Sequence, residues 1–419
     1  MLKFFIIFIF SCCAILKSSF ADSLNHEIQV QIKKNAPKAS IGILIEQLEP
    51  KNNLIYSYHA NQEFIPASNM KVITAITAMK VLGPDYQFKT SISKDPKDLS
   101  NNLYFKFTGD PSLTSDDLSN LIKNLKALGI NKITGNIILD TSQENNLDIP
   151  IGIDHADLPY CFMAPAESII LNQNCLTLGT GKNASIEADQ DPINYAQTII
   201  SQALKNNYIN FSGKFINNPT PIDPNIAKNL KIIAEHDSLP LPDLINNMLP
   251  WSDNLYAGSL TKAVGFKFYG NGSYQAGAQA LDINIQNFIK NFNHQMLSSN
   301  HVIKDGAGLS RDNRITPQDF VNILEAAYQD PVLKNMLFNS LPRSGISGSL
   351  KFRMNKNLLL GNVYAKTGSM RGISTLSGYL KTPSGKVFVF SILVNNLPGF
   401  IGPGRNLQDE ILEDLIKLN

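Results

Sequence analysis

Apolar positions fall into short runs near both ends of the chain and change character in the middle. Ile41-Gly-Ile-Leu-Ile45 and Leu54-Ile-Tyr-Ser-Tyr58 read as strands joined by the turn-like Pro50-Lys-Asn-Asn53, an antiparallel hairpin. After Pro66-Ala67, the stretch Ser68–Leu82 lacks Gly and Pro and stops at Gly83, which predicts a helix. Val72, Ala75, Ile76 and Met79 recur at helical spacing and predict one buried face. Further helices are expected over 115–128, near 240–248 and over Ala276–Phe292. The last third returns to strands at 363–366, 375–380 and 387–395, with Pro383-Ser-Gly385 as a hairpin turn. Leu407, Ile411, Leu412, Leu415 and Ile416 then mark a helix over 406–418. Strands at both ends with helices between predict one antiparallel sheet, closed by bringing the termini together, with the terminal helix on one face.

The middle, 87–228, is richer in Asn, Asp and Ser. It carries short strand-like runs at 103–107 and 135–139, and its later part, 172–220, reads as polar and strand-like with few helix signals. We read it as an inserted β-rich region that divides near residue 165 into 87–165 and 166–228. The main domain is then 22–86 together with 229–419.

The start of the chain has a different pattern. Met1-Leu2-Lys3 is basic, Phe4–Leu16 is apolar, and Ser19 and Ala21 are small, as in an export signal cut after Ala21. A retained anchor competes with this reading, but the apolar run is shorter than the roughly 20 residues a spanning helix needs. Lipid attachment at Cys12 would cut the run in half. Losing Lys3 and Lys17 brings the 37 basic residues level with the 35 acidic ones. A chain of zero formal charge is a poor general nucleic-acid binder. Cys12 and Cys13 leave with the leader. Cys161 and Cys175 remain, and in an exported chain one structural disulfide is favoured over two free thiols. No metal-ligand spacing occurs among the two cysteines and six scattered histidines. No metal or other cofactor is expected.

Three short motifs carry candidate chemistry: Ser68-Asn-Met-Lys71, Ser252-Asp-Asn254 and Lys366-Thr-Gly368. Each alone is weak. Ser-x-x-Lys recurs at Ser91/Lys94 and Ser259/Lys262, and most such matches are ordinary surface serines. Order and context raise their weight, because the first opens a predicted helix and the third lies on a predicted strand. Residues three apart share a helix face, so Lys71 reaches the Ser68 hydroxyl. A serine needs such a base, and a lysine serves only when burial or a nearby like charge, here Lys366, lowers its pKa. Ser252 is a candidate proton relay, and Asn254 binds either Lys71 or a substrate amide. Lys366 and Thr367 would hold a substrate carboxylate, and Gly368 would leave room for the substrate backbone. The N–H groups of Ser68 and Ser369 are the candidate oxyanion donors. No Gly-x-Ser-x-Gly elbow or His-Glu-x-x-His motif occurs, and His59, His236 and His301 sit in no catalytic context.

The ordered motifs resemble those of penicillin-binding proteins and serine beta-lactamases. Thr108-Gly-Asp-Pro-Ser-Leu113, Gly135-Asn-Ile-Ile-Leu-Asp140, Ala164-Pro165, Asp305-Gly-Ala-Gly-Leu-Ser-Arg311 and Ser347-Gly-Ser-Leu350 extend the resemblance over the whole mature chain. It is similar to the D-alanyl-D-alanine carboxypeptidase/endopeptidase family of low-molecular-mass penicillin-binding proteins, the class with a large insertion after the nucleophile helix. The resemblance implies an α/β fold like the serine beta-lactamases, with a five-stranded antiparallel sheet flanked by helices. It implies export to the periplasm, action on peptidoglycan stem peptides or cross-links, and acylation by beta-lactams. Ser68 matches the nucleophile, Lys71 the base, and Ser252, Asn254, Lys366 and Thr367 the other motif positions. Arg311 matches an arginine facing substrate, and Asp140 a residue meeting the diaminopimelate amino group. The spacing of Cys161 and Cys175 also resembles the family's. The chain departs from it at Asp148-Ile-Pro-Ile-Gly-Ile153, where tryptophans are usual, and at Met370-Arg371. A beta-lactamase and a non-catalytic wall-binding protein remain as alternatives. The first lacks a match for its acidic deacylation residue, since Glu167 and Asn172 are wrongly spaced. Oligomeric state and peripheral contact with membrane or wall are left open.

Overall fold

A computed structural model describes residues 23–50, 53–143, 148–179 and 184–419; the leader read at 1–21 lies outside them. The two ends of the chain build one antiparallel sheet. Its strands run in the order Val363–Met370, Ile373–Lys381, Val387–Asn395, Ser40–Glu49 and Asn53–Tyr58. The central strand Val387–Asn395 is buried at every position because both sheet faces are covered. On one face lie the helix at 23–35 and the terminal helix Gly402–Lys417, which seat Leu24, Ile28, Leu407, Ile411 and Leu415 against Ile43, Leu376 and Phe390. On the other face lies a group of helices around Met70–Val81.

That helix differs from expectation. Its first turn, Ala67–Asn69, is a 3-10 turn, and Met70 to Met79 are all buried, not one face alone. Leu241–Trp251, Asn254–Tyr269, Tyr274–Asn293, Pro317–Gln329 and Pro331–Ser340 surround it. Asn254–Tyr269 gave no amphipathic signal, because Leu255 to Gly265 are buried without an exposed stripe.

The insertion folds around a second, mixed sheet, ordered Phe215–Asn218, Ile137–Asp140, Leu103–Lys106, Lys89–Lys94, Lys231–Asp237. Three features correct the sequence reading. Strand Lys231–Asp237 pairs with Lys89–Lys94, so the unit runs past residue 228. Strands on both sides of residue 165, Ile137–Asp140 and Phe215–Asn218, lie side by side and share one core. The stretch read as strand-like contains the helix Pro192–Asn206, started by Pro192 and capped by the Asp191 carboxylate on the Asn194 N–H. Ala196, Ile200, Ala203 and Leu204 form its inner face, packed with helix Ser115–Ala127. Among the described residues, no helix is long and apolar enough to cross a membrane.

The terminal helix is expected to be essential to the sheet's stability. Ile411, fully buried, changed to Ala should lower the unfolding free energy by about 2–4 kcal/mol. Lys417→Ala, on the exposed side, should stay within about 0.5 kcal/mol. Urea denaturation of both variants checks this.

Candidate active site

The Ser68 turn is clamped to the sheet. The Thr375 hydroxyl donates to Pro66 O at 2.8 Å, and the buried Asn69 side chain lies 2.7 Å from Ser377 Oγ. Ala67 sits at φ +47°, and Gly308, at φ +81°, packs so close that an added Cβ would overlap Ala67 O. Gly368 has a similar reason. A Cβ there would strike Thr375 Oγ1 and lie 2.8 Å from Pro66 O. The glycine therefore admits the Ser68 turn, a neighbour that the sequence reading, which reserved the space for substrate backbone, does not name.

One turn on, Lys71 is fully buried and makes three contacts. Its Nζ lies 3.1 Å from Ser68 Oγ, 2.6 Å from Asn254 Oδ1 and 2.6 Å from Ala307 O. Ser252-Asp-Asn254 forms the corner between two helices. Ser252 ends the first at φ +61°, Asp253 caps the second by accepting from Tyr256 N, and Asn254 opens it. Ala307 is delivered by a loop folded on one carboxylate. Buried Asp305 accepts from the N–H groups of Gly308, Leu309 and Ser310 and from Asn313 Nδ2. The run 305–311 carried the family resemblance, but its use as a carbonyl holder for Lys71 was not read from sequence. A backbone acceptor leaves no side-chain signature.

Burial pushes the Lys71 ammonium down to about 8, against the pull of the Asp305 and Asp253 carboxylates. Burial, and then the Lys71 charge, hold Lys366 well below the ordinary lysine value. The expected like-charge effect is thus carried by Lys366, and burial is what lowers Lys71. Lys366 is fully buried in strand Val363–Met370, its Nζ donating to Thr367 O at 2.8 Å. Thr367 Oγ1 lies 2.6 Å from Ser349 Oγ, which gives the Ser347-Gly-Ser-Leu350 stretch its place. Exposed Ser369 receives a hydrogen bond from Arg405, a neighbour not foreseen.

Arg311 is brought to the same end of that strand, donating to Arg371 O at 3.3 Å. Its own N–H donates to Gly152 O, in the loop that departs from the family pattern. Asp140 is not brought to the cluster by any of its hydrogen bonds among the described residues. It is 4% exposed at the end of its strand, and its carboxylate accepts from Ser142 N. Cys161 and Cys175 form a disulfide. The turn it anchors meets the cluster, because Asn254 Nδ2 donates to Phe162 O at 2.8 Å.

A serine with a buried lysine one turn away, beside an antiparallel sheet edge carrying a second buried lysine, defines a serine acyl-transfer enzyme by its chemistry. The chain matches the D-Ala-D-Ala carboxypeptidase 3 (S13) family over residues 24–189 and 179–413, and belongs to it. It is 29% identical to D-alanyl-D-alanine carboxypeptidase DacB of Haemophilus influenzae over 85% of this chain and 85% of that protein. The crystal structure of penicillin binding protein 4 (dacB) from Haemophilus influenzae superposes with a TM-score of 0.83 at 26% identity, covering 93% of this chain and 99% of that one. Its complex with a beta-lactam gives 0.79 at 25% identity, with the same coverage of 93% and 99%.

The close approach at Gly368 has a measurable consequence. Gly368→Ala should destabilise the fold by about 1–3 kcal/mol, because Cβ must displace Thr375 or the Pro66 carbonyl. Urea unfolding would read this, and an unchanged midpoint would mean that the turn has slack.

Proposed function

We propose that the protein is an exported serine D-Ala-D-Ala carboxypeptidase/endopeptidase acting on peptidoglycan stem peptides or their cross-links in the periplasm. The single observation that carries the reading is the triple contact of Lys71. Asn254 Oδ1 and Ala307 O can only accept, so a neutral Lys71 gives them both its N–H groups and turns its lone pair to Ser68. Ser68 then attacks the D-Ala carbonyl as Lys71 takes its proton. The oxyanion forms against the N–H groups of Ser68 and Ser369. Lys71, through Ser252, returns the proton to the leaving amine, and water releases the acyl group by the reverse path.

The substrate's terminal carboxylate fits the edge formed by Lys366 and Thr367, with Arg311 and Arg405 adding positive charge. Beta-lactams present the same carboxylate beside a strained amide, so they would acylate Ser68. For Asp140 to meet a stem-peptide amino group, its buried carboxylate would have to turn away from Ser142 N. We retain the unit 87–228, extended to about residue 237, as the inserted region that shapes substrate access.

Incubation with a labelled penicillin tests the reading. A long-lived adduct that is absent in Ser68→Ala is the expected result. Rapid antibiotic turnover would indicate a beta-lactamase, and no reaction a non-catalytic wall-binding protein. Digestion of purified muropeptides then separates carboxypeptidase from endopeptidase action.

The pH dependence follows from Lys71, which must be neutral to act as base. The second-order acylation rate constant should climb by about tenfold per pH unit on the acid side and level off above about 8. Lys71→Arg, which keeps its proton throughout, should abolish that limb together with the rate.

A further inference from the structure

We infer that the backbone carbonyl of Phe162, held by the Cys161–Cys175 disulfide, is a positioning group. It turns the Asn254 amide into the one orientation that lets Lys71 serve Ser68. The inference rests on the acyl-transfer reading above and assigns the insertion a part in the chemistry.

The Asn254 amide has an accepting end and a donating end. Phe162 O can only accept, so it faces Nδ2, at 2.8 Å. That leaves Oδ1 facing Lys71 Nζ, at 2.6 Å. With Ala307 O also accepting, both N–H groups of a neutral Lys71 are used, and its lone pair is left for the Ser68 hydroxyl at 3.1 Å. A half-turn of the amide reverses this. Nδ2 would then donate to the Lys71 lone pair, and Ser68 would lose its base.

The carbonyl is held by covalent and backbone means. Phe162 lies in the turn Cys161–Met163, closed by Met163 N on Tyr160 O and Ala164 N on Cys161 O. Cys161 is bonded to Cys175, the first residue of strand Cys175–Leu178, which pairs with Ser185–Ala188. From that second strand, Ala188 N returns to Pro159 O, just before the turn. Past the turn, Ala166 and Ile170 pack with Leu255 and Tyr274, beside Asn254 itself. The Phe162 ring adds little restraint, being 50% exposed and stacked on the exposed Tyr160 ring.

A double-mutant cycle tests the coupling. Second-order acylation by a labelled penicillin, and its pH profile, are measured for the oxidised protein, Cys161→Ala/Cys175→Ala, Asn254→Ala and the triple variant. Removing the disulfide should slow acylation by roughly tenfold or more and flatten the limb near pH 8. In the Asn254→Ala background the same removal should change the rate by less than about twofold, because the group it acts through is gone. Equal losses in both backgrounds, or no loss in the parent, would overturn the inference. If the cysteine variant does not fold, reduction and re-oxidation of the folded parent and of folded Asn254→Ala give the same cycle, with re-oxidation restoring only the parent. Failure of the acyl-transfer reading looks different: the oxidised parent would react no faster than Ser68→Ala.

Discussion

A lysine ammonium with no exposed surface sets the terms for the rest of the molecule. Burying such a charge is costly unless every N–H finds an acceptor. Lys71 finds three, and they come from three distant parts of the chain: its own helix turn, the corner at Asn254 and the loop at Ala307. Those parts must therefore arrive together or the lysine cannot be buried. Each is braced locally, by Thr375 on Pro66, by Asp253 on Tyr256 and by Asp305 on its loop amides. The central helix is the spine along which these braces meet, which accounts for its burial on all sides.

The insertion belongs to this arrangement although it has its own sheet and core. Its segment 148–175 touches the main domain at several points. Asp148 accepts from Tyr274 N, Gly152 O from Arg311 N, and Phe162 O from Asn254 Nδ2. The small cluster of Ala166, Ile170, Leu255 and Tyr274 fills the seam. The hydrogen bonds across this seam fix orientation, and each adds only modestly to stability.

Local chemistry was legible in the sequence. Ser68 and Lys71 are coupled by helix geometry alone, and the two terminal hairpins foretold a sheet closed by the chain ends. The Ser252-Asp-Asn254 corner was recognisable as a motif near a helix start, though not as the stop of one helix and the cap of the next. Three kinds of feature stayed hidden. The helix Asn254–Tyr269 is buried too evenly for periodicity to show it. The carbonyls of Ala307 and Phe162 act through backbone, which any residue possesses. Gly368 yields to a neighbour more than 300 positions earlier, Pro66, so only the fold reveals the reason. The polar outer face of Pro192–Asn206 masked a helix whose inner spacing was present in the sequence.

Two buried lysines in one site cannot both keep a proton comfortably. Lys366 is held lower than usual partly by the Lys71 charge, so the two compete for protonation. In the free enzyme the carboxylates of Asp305 and Asp253 favour charge on Lys71. A substrate carboxylate held at Lys366, as proposed above, would change the balance, since a nearby anion favours the charged form there. A proton gained by Lys366 would then disfavour the one on Lys71, as like charges in one site do. On the reading proposed above, binding at the sheet edge would release the base at the helix, and Ser68 would be activated when the group it attacks is in place. The coupling needs only two charges in a dry site and one residue spacing, Ser68 to Lys71, already written in the chain.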